Sequence, residues 1–517
     1  MTALEPLEPS IDPALAALAD AILIPPFPGT TAPLWFLRAL ERGLAGVTFF
    51  GPNVTGDTVA LTAALRAAAP VEPVIAIDEE GGDVTRVAYA SGSPYPGNAA
   101  LGTVDDVALT RAVYAAIGAD LFRLGINTNL APDADVLDLA GSAVVGTRSF
   151  GSDPSLVARH VAAAVSGLQS AGVAACAKHF PGHGSTGDDS HLSLATVLGT
   201  MEEIRTRDLP PFVAAIAAGS LAVMPGHLRV PELTGALPAS LSPAAVTGLL
   251  RGELGFTGVV ISDALEMKAA SAVFGIPEAA VLAVTAGVDL LCLGRQTDEA
   301  MYHAVRAAIA DAVTSGRLAG ARLEEAAARV ASLRAGLASA RGAQNASDAG
   351  SGALSGVGAG VGAGSGSGSD PGADSTSGDG IGLVAARRAL RRSGPVPSVL
   401  NDPLIVEVEP EENIAAGRFT WGFEPWAAVK RIDSAADDGA AAGSVLAASA
   451  GRPLVLAVRD ARNVLSIVDE VLAARPDTVI IEMGVPAWTP PPGTAYLATY
   501  GASRVCAQAA AEALGLA

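Results

Sequence analysis

Short apolar runs alternate with longer segments whose apolar residues recur three or four apart through residues 1–341. The runs are Ala21–Pro25, Gly46–Phe50, Val74–Ile77, Thr128–Ala131, Val173–Ala177, Leu221–Met224, Gly258–Ile261 and Val288–Leu293. Segments such as Asp106–Leu124 and Ser155–Ala171 carry the helical spacing between them. Alternation of this kind predicts a parallel sheet covered by helices. Eight runs favour a (β/α)8 barrel of the TIM type; an open doubly wound sheet is the competing arrangement. A polar residue closely follows nearly every run: Asn53, Asp78, Asp133, Lys178, His227, Asp263 and Arg295. In a barrel such positions converge on one mouth, whereas an open sheet spreads them along an edge, so the barrel is preferred.

The pattern stops at residue 342. Residues 342–382 are rich in Gly and Ser and nearly free of large apolar side chains, so they cannot bury a core and are expected to form a flexible linker. Apolar runs resume at Leu404–Val408, Pro453–Val458, Thr478–Ile481 and Tyr496–Thr499, with helix-like segments Val464–Ala474 and Arg504–Leu516. Residues 383–517 are therefore expected to form a smaller α/β sandwich domain.

Composition narrows the function. The net charge of −20 disfavours nucleic acid and anionic membrane as partners, because both select clustered Lys and Arg. Cys176, Cys292 and Cys506 are few and far apart, which suggests reduced thiols rather than a disulfide framework. Acids and prolines stand where a signal peptide needs a basic and then an apolar region, and no run reaches the ~20 apolar residues of a membrane span. A cytoplasmic location is the expectation. Oligomeric state is left open.

Four patches carry candidate chemistry. Residues 178–191, Lys-His-Phe-Pro-Gly-His-Gly-Ser-Thr-Gly-Asp-Asp-Ser-His, hold three of the chain's six histidines. Pro181 and three glycines make regular structure implausible, so the segment reads as a polar loop leaving a buried strand. Asp78-Glu79-Glu80-Gly81-Gly82 with Arg86 suits hydroxyl-rich or amide ligands, or is a solvated acidic loop. Arg148, amid Gly146, Thr147 and Ser149, could bond a ligand or pair with a carboxylate. Asp263 ends an apolar strand and is either a helix N-cap or a catalytic carboxylate. His179 and His183 are four apart, the spacing of two metal ligands on a helix, but Pro181-Gly182 break that helix. A metal site built with His191 and Asp263 stays an alternative; the reading adopted has no metal and no organic cofactor. Asp263 could instead serve as the nucleophile of a retaining glycosidase, whose proton donor lies ~5 Å away. A histidine tuned by a neighbouring carboxylate can be that donor, and Asp189-Ser190-His191 offers one.

Together these patches resemble the bacterial β-N-acetylglucosaminidases of glycoside hydrolase family 3. Lys178-His179-Phe180-Pro181-Gly182-His183-Gly184 with Asp189-Ser190-His191 is similar to the family's signature. Asp78-Glu79-Glu80-Gly81-Gly82 with Arg86, Gly146-Thr147-Arg148-Ser149-Phe150, and Gly255-Phe256-Thr257-Gly258 leading to Ser262-Asp263 follow in the family's order. The resemblance covers residues 15–340 and is weaker beyond. It implies Asp263 as nucleophile, His191 as acid/base supported by Asp189, and Asp78, Arg86, Arg148, Lys178 and His179 as sugar-binding residues. The Asp-Ser-His triplet implies N-acetylglucosamine rather than glucose. Pro225-Gly226 before His227, Thr234 and Ala195 depart from the family's common residues and bear on loop shape.

The expected activity is retaining hydrolysis of terminal β-linked N-acetylglucosamine from cell-wall muropeptides or chitooligosaccharides. Alternatives are phosphorolysis on the same residues, a non-catalytic sugar-binding barrel, and a metal-dependent hydrolase.

Overall fold

The computed structural model describes residues 12–138, 145–186, 194–197, 199–354, 380–409, 422–433, 438–449, 451–459, 464–486 and 488–517. They fall into two compact units. The first comprises Met1–Glu79, Gly118–Val145 and Gly151–Leu337; the second comprises Glu80–Ile117, Gly146–Phe150 and Ala338–Ala517.

The first unit contains the eight parallel strands that the apolar runs predict: β1 (Leu23–Ile24), β2 (Gly46–Phe49), β3 (Val74–Ile77), β4 (Thr128–Asn129), β5 (Ala174–Phe180), β6 (Ala222–Pro225), β7 (Val259–Val260) and β8 (Leu291–Cys292). Strands β2 to β7 pair in chain order, and β8 pairs with β1 through Leu23↔Leu291 and Ile24↔Cys292. The bridge Ile261↔Leu290 joins β7 to β8. Hydrogen bonds from Ala45 N to Asp20 O (2.9 Å) and from Thr48 Oγ1 to Ile24 O (3.2 Å) tie β2 to β1 and complete the ring. Nearly every strand residue is buried, which is why the runs are apolar on both faces rather than alternating.

The helices between strands follow from local rules. Pro154–Ser170 begins behind Asp153, whose carboxylate accepts from Ser155 N at 2.9 Å, and has Pro at its first position. Its buried face is Val157, Val161, Ala164, Val165 and Leu168, one stripe of a 3.6-residue helix. The opposite, N-terminal end of the strand ring is held by charge. Asp289, fully buried two residues before β8, accepts from Arg322 Nη2 (2.5 Å), Arg329 Nη1 (3.4 Å), Arg251 Nη2 and Val260 N (2.9 Å).

The second unit contains a six-stranded sheet: β9 (Arg391–Ser393), β10 (Leu404–Glu409), β11 (Ala428–Asp433), β12 (Leu454–Val458), β13 (Val479–Glu482) and β14 (Ala495–Ala498). Their order is β9-β14-β13-β12-β10-β11, all parallel except β9. Helices Asp438–Ala448 and Leu465–Ala474 cover one face through Val445, Ile467 and Val471, and Arg504–Ala513 covers the other through Ala507, Ala510 and Ala511. The result is the expected α/β sandwich. Helix Gly320–Leu354 runs past position 342, where the Gly/Ser composition begins, and a new helix starts at Ile381. Most of the intervening segment, 355–379, lies outside the described residues. All three cysteines are buried free thiols. Among the described residues no single helix is long and apolar enough to cross a membrane.

Candidate active site

Strand β5 is longer than its apolar run. It continues through Lys178 and His179 to Phe180, so these two residues lie in the strand and not in the loop where their polarity placed them. Its ladder to β6 holds Lys178 opposite Met224 and Phe180 opposite Pro225, with a register shift between. Buried polar side chains are tolerated here because neighbouring strand ends supply carboxylates. Lys178 Nζ lies 2.6 Å from Asp78 Oδ1, just after β3. The lysine is buried, whereas the Asp78 side chain keeps about a fifth of its surface exposed.

His179 is fixed by a residue that sequence reasoning missed. Its Nδ1 donates to Asp135 Oδ2 at 2.9 Å, in the segment after β4. Asp135 Oδ1 accepts from His183 N (2.6 Å) and His179 N (3.3 Å), and Asp133 Oδ1 accepts from Asp135 N (2.9 Å). Burial opposes ionisation of Asp135. The attraction of His179 and His183 and their hydrogen bonds outweigh it, and hold its carboxyl below the usual range. A proton on Nδ1 turned to a carboxylate leaves Nε2 as the ring nitrogen directed elsewhere. The sequence signal for this role is the Asp133-x-Asp135 spacing directly after a strand.

Asp263 follows β7 by three residues. It does not cap a helix, because the next helix starts at Lys268 with Met267 at its cap position. Its Oδ1 accepts from Ala264 N at 2.7 Å, and the residue is half-buried. Burial pushes the Cys176 thiol up; Lys178 lowers it, and Asp78 and Asp263 raise it further. Burial pushes Cys292 up to about 12, again with contributions from Asp263 and Asp78. Asp78 directly follows β3, Lys178 stands near the end of β5 and Asp263 follows β7, so all three stand at the C-terminal ends of parallel strands.

His227, after β6, is fully buried. Its Nδ1 lies 2.6 Å from Ser240 Oγ and its Nε2 3.0 Å from Ala264 O.

Arg86 and Arg148 belong to the second unit. There Arg148 forms a two-pronged ion pair with Glu80: Nε to Oε2 at 2.9 Å and Nη2 to Oε1 at 2.7 Å. Asn98 Nδ2 donates to the Arg148 carbonyl at 2.6 Å. Next to it, Thr147 Oγ1 donates to Asp83 Oδ2 at 2.7 Å. Arg86 is half-buried in the loop after Val84. His191 and Asp189 lie outside the described residues.

Three donors could meet a metal ion: Asp133, Asp135 and His179 offer atoms within 4.8 Å of one another. Only His179 is shared with the metal set considered from sequence. The Nδ1–H to Oδ2 hydrogen bond accounts for this arrangement without an ion, as an orienting histidine–carboxylate pair.

The profile of the Glycosyl hydrolase family 3 N terminal domain matches residues 41–333. The chain belongs to glycoside hydrolase family 3. It is a glycoside hydrolase. A beta-hexosaminidase of Stenotrophomonas maltophilia is 39% identical over 286 residues, which is 52% of this chain and 84% of that one. Beta-hexosaminidase LpqI of Mycobacterium tuberculosis is 36% identical over 280 residues, 53% of this chain and 71% of that one. Among solved structures, a family 3 β-N-acetylglucosaminidase from Paenibacillus sp. is 30% identical. It covers 96% of this chain and 95% of its own at a TM-score of 0.80, so the likeness extends through the second unit's sheet.

Proposed function

We propose that this family 3 enzyme is a retaining exo-β-N-acetylglucosaminidase working by double displacement. The observation that carries the reading is the placement of Asp78, Lys178 and Asp263 at the C-terminal ends of β3, β5 and β7, with Lys178 paired to Asp78 and His179 fixed beside it by Asp135. The likeness to a β-N-acetylglucosaminidase over nearly the whole chain supports the choice of sugar.

Asp263 attacks the anomeric carbon as the glycosidic bond breaks, and His191 gives its proton to the departing oxygen. A covalent glycosyl-enzyme results. His191 then takes a proton from water, whose oxygen displaces Asp263 and restores the original configuration. Asp189 orients His191 and stabilises its cationic form. Lys178, Asp78 and His179 bind sugar hydroxyls, His179 through Nε2 because Nδ1 is committed to Asp135. The family's pattern assigns Arg86 and Arg148 to the sugar as well. Each step is carried by these side chains and water alone. The natural substrates are muropeptides or chitooligosaccharides with a terminal β-linked N-acetylglucosamine.

The test is a pair of nitrophenyl glycosides assayed with and without phosphate. N-acetylglucosaminide should be cleaved at least ~10²-fold faster than glucoside, the scale on which unmade polar contacts discriminate. Proton NMR should show the β-anomer of N-acetylglucosamine released first. Preference for glucoside, or an α-anomer first, sinks the reading. Accumulation of N-acetylglucosamine 1-phosphate in phosphate buffer would reassign the enzyme as a phosphorylase.

A further inference from the structure

Ala264, the residue after the proposed nucleophile, is gripped at both of its polar backbone atoms. Its N–H donates to Asp263 Oδ1 at 2.7 Å. Its carbonyl accepts from Met267 N at 3.0 Å and faces His227 Nε2 at 3.0 Å. A carbonyl only accepts, so Nε2 of His227 carries the proton. Nδ1 meets the Ser240 hydroxyl, which can donate or accept, at 2.6 Å. Ser240 is tied to the same segment by its own amide, which donates to Gly226 O at 3.2 Å. Gly226 N in turn donates to Phe180 O at 2.9 Å, at the end of β5. The ring thus carries a proton on Nε2, is held at both nitrogens and has no exposed surface.

A buried histidine satisfied by a hydroxyl and a carbonyl is ordinarily a core residue and nothing more. What sets His227 apart is the residue its acceptor belongs to. Restraint of Ala264 at its carbonyl limits rotation of the backbone whose amide holds Oδ1, and through that bond limits rotation of the Asp263 carboxylate. We propose that His227 is a positioning residue that sets the attack geometry of Asp263 through Ala264, with Ser240 holding the ring in place. The inference rests on Asp263 being the nucleophile. In-line attack on a ring carbon depends on orientation, and a displacement of about 1 Å can cost about 10²-fold in rate.

The experiment compares His227→Ala, His227→Gln and Ser240→Ala in the full-length protein with nitrophenyl N-acetylglucosaminide. Each variant is checked for folding by circular dichroism and melting temperature. The glutamine amide places an N–H donor near the original Nε2 and should restore the bond to Ala264 O. His227→Ala should lose about 10²-fold in kcat, with KM and inhibition by free N-acetylglucosamine changed less than about threefold. His227→Gln should recover to within about tenfold of wild type, and Ser240→Ala should lose roughly five- to tenfold in kcat at unchanged KM. A folded His227→Ala enzyme with kcat within about threefold of wild type overturns the proposal, and so does a folded His227→Gln enzyme no faster than the alanine variant. If His227→Ala does not fold, Ser240→Ala decides: unchanged kcat overturns. Asp263→Asn run in parallel separates the two readings. If it retains activity, the nucleophile assignment fails; if it is inactive while His227 proves neutral, only the positioning role fails.

Discussion

Replacing Asp263 by Asn keeps its volume and a hydrogen-bond acceptor for Ala264 N while removing the nucleophilic charge. Turnover should fall by about 10³-fold or more, with a melting temperature close to wild type. Near wild-type hydrolysis would show that Asp263 does not attack. Asp135 makes a different prediction, because its carboxyl is held below its ordinary value of 3.8. A carboxyl lowered in the folded state stabilises the protein fully above the unfolded value, and that contribution is lost as pH falls through the folded one. Asp135→Asn should therefore cost about 1–3 kcal/mol at neutral pH, and its stability should fall less steeply on acidification than that of wild type. Parallel acid limbs in the two melting curves would contradict this. At this scale the sequence shows the groups that stand immediately after apolar runs: Asp78, Lys178 and, three residues past its strand, Asp263. It does not show Asp135 holding His179, or Glu80 holding Arg148, because those pairings join positions 44 and 68 residues apart and leave no spacing to read.

The elements were legible where burial was two-sided. The eight strands of the ring are buried throughout and each coincides with a run in the sequence; all are mainly apolar except β4, Thr128–Asn129. In the six-stranded sheet of the second unit the strands that escaped notice are β9, Arg-Arg-Ser and exposed, and β11, which carries Lys430, Arg431 and Asp433. Both are sheet edges, where charged side chains discourage pairing with other chains and erase the apolar signal. The end of β5 was missed for a related reason, since its polar residues are paired across the ring mouth. At the opposite end of the ring, Asp289→Ala should be among the most damaging single changes. It leaves Arg251, Arg322 and Arg329 without the carboxylate they converge on, and their side chains are only 12%, 15% and 25% exposed. A loss of about 3–5 kcal/mol in chemical denaturation is expected, with kcat per folded molecule unchanged. A loss below about 1 kcal/mol would mean that the arginines find other partners or water.

At the scale of the whole molecule the second unit is discontinuous in sequence. Residues 80–117 are held by residues beyond 380. Gly382 abuts the Pro94 carbonyl so closely that a Cβ would lie 1.9 Å from it. Arg391 Nη2 donates to Thr103 O at 2.8 Å, and Ala502 N donates to Asp83 Oδ1 at 2.7 Å. Deleting residues 342–517 should thus strip partners from residues 80–117 and give an insoluble or strongly destabilised fragment, assayed by soluble yield and melting temperature. A soluble fragment with wild-type kcat/KM would show that those residues need no support. The ring has a consequence of its own for how the protein is made. Leu23 and Ile24 leave the ribosome well before their partners, Leu291 and Cys292. At about 5–20 residues per second of synthesis, β1 waits roughly 15–50 s for the strand that closes it. Throughout that interval the nascent chain presents an incomplete parallel sheet with open apolar edges, the kind of surface that aggregates. Soluble yield is therefore expected to respond to chaperone capture during translation as well as to stability once folded.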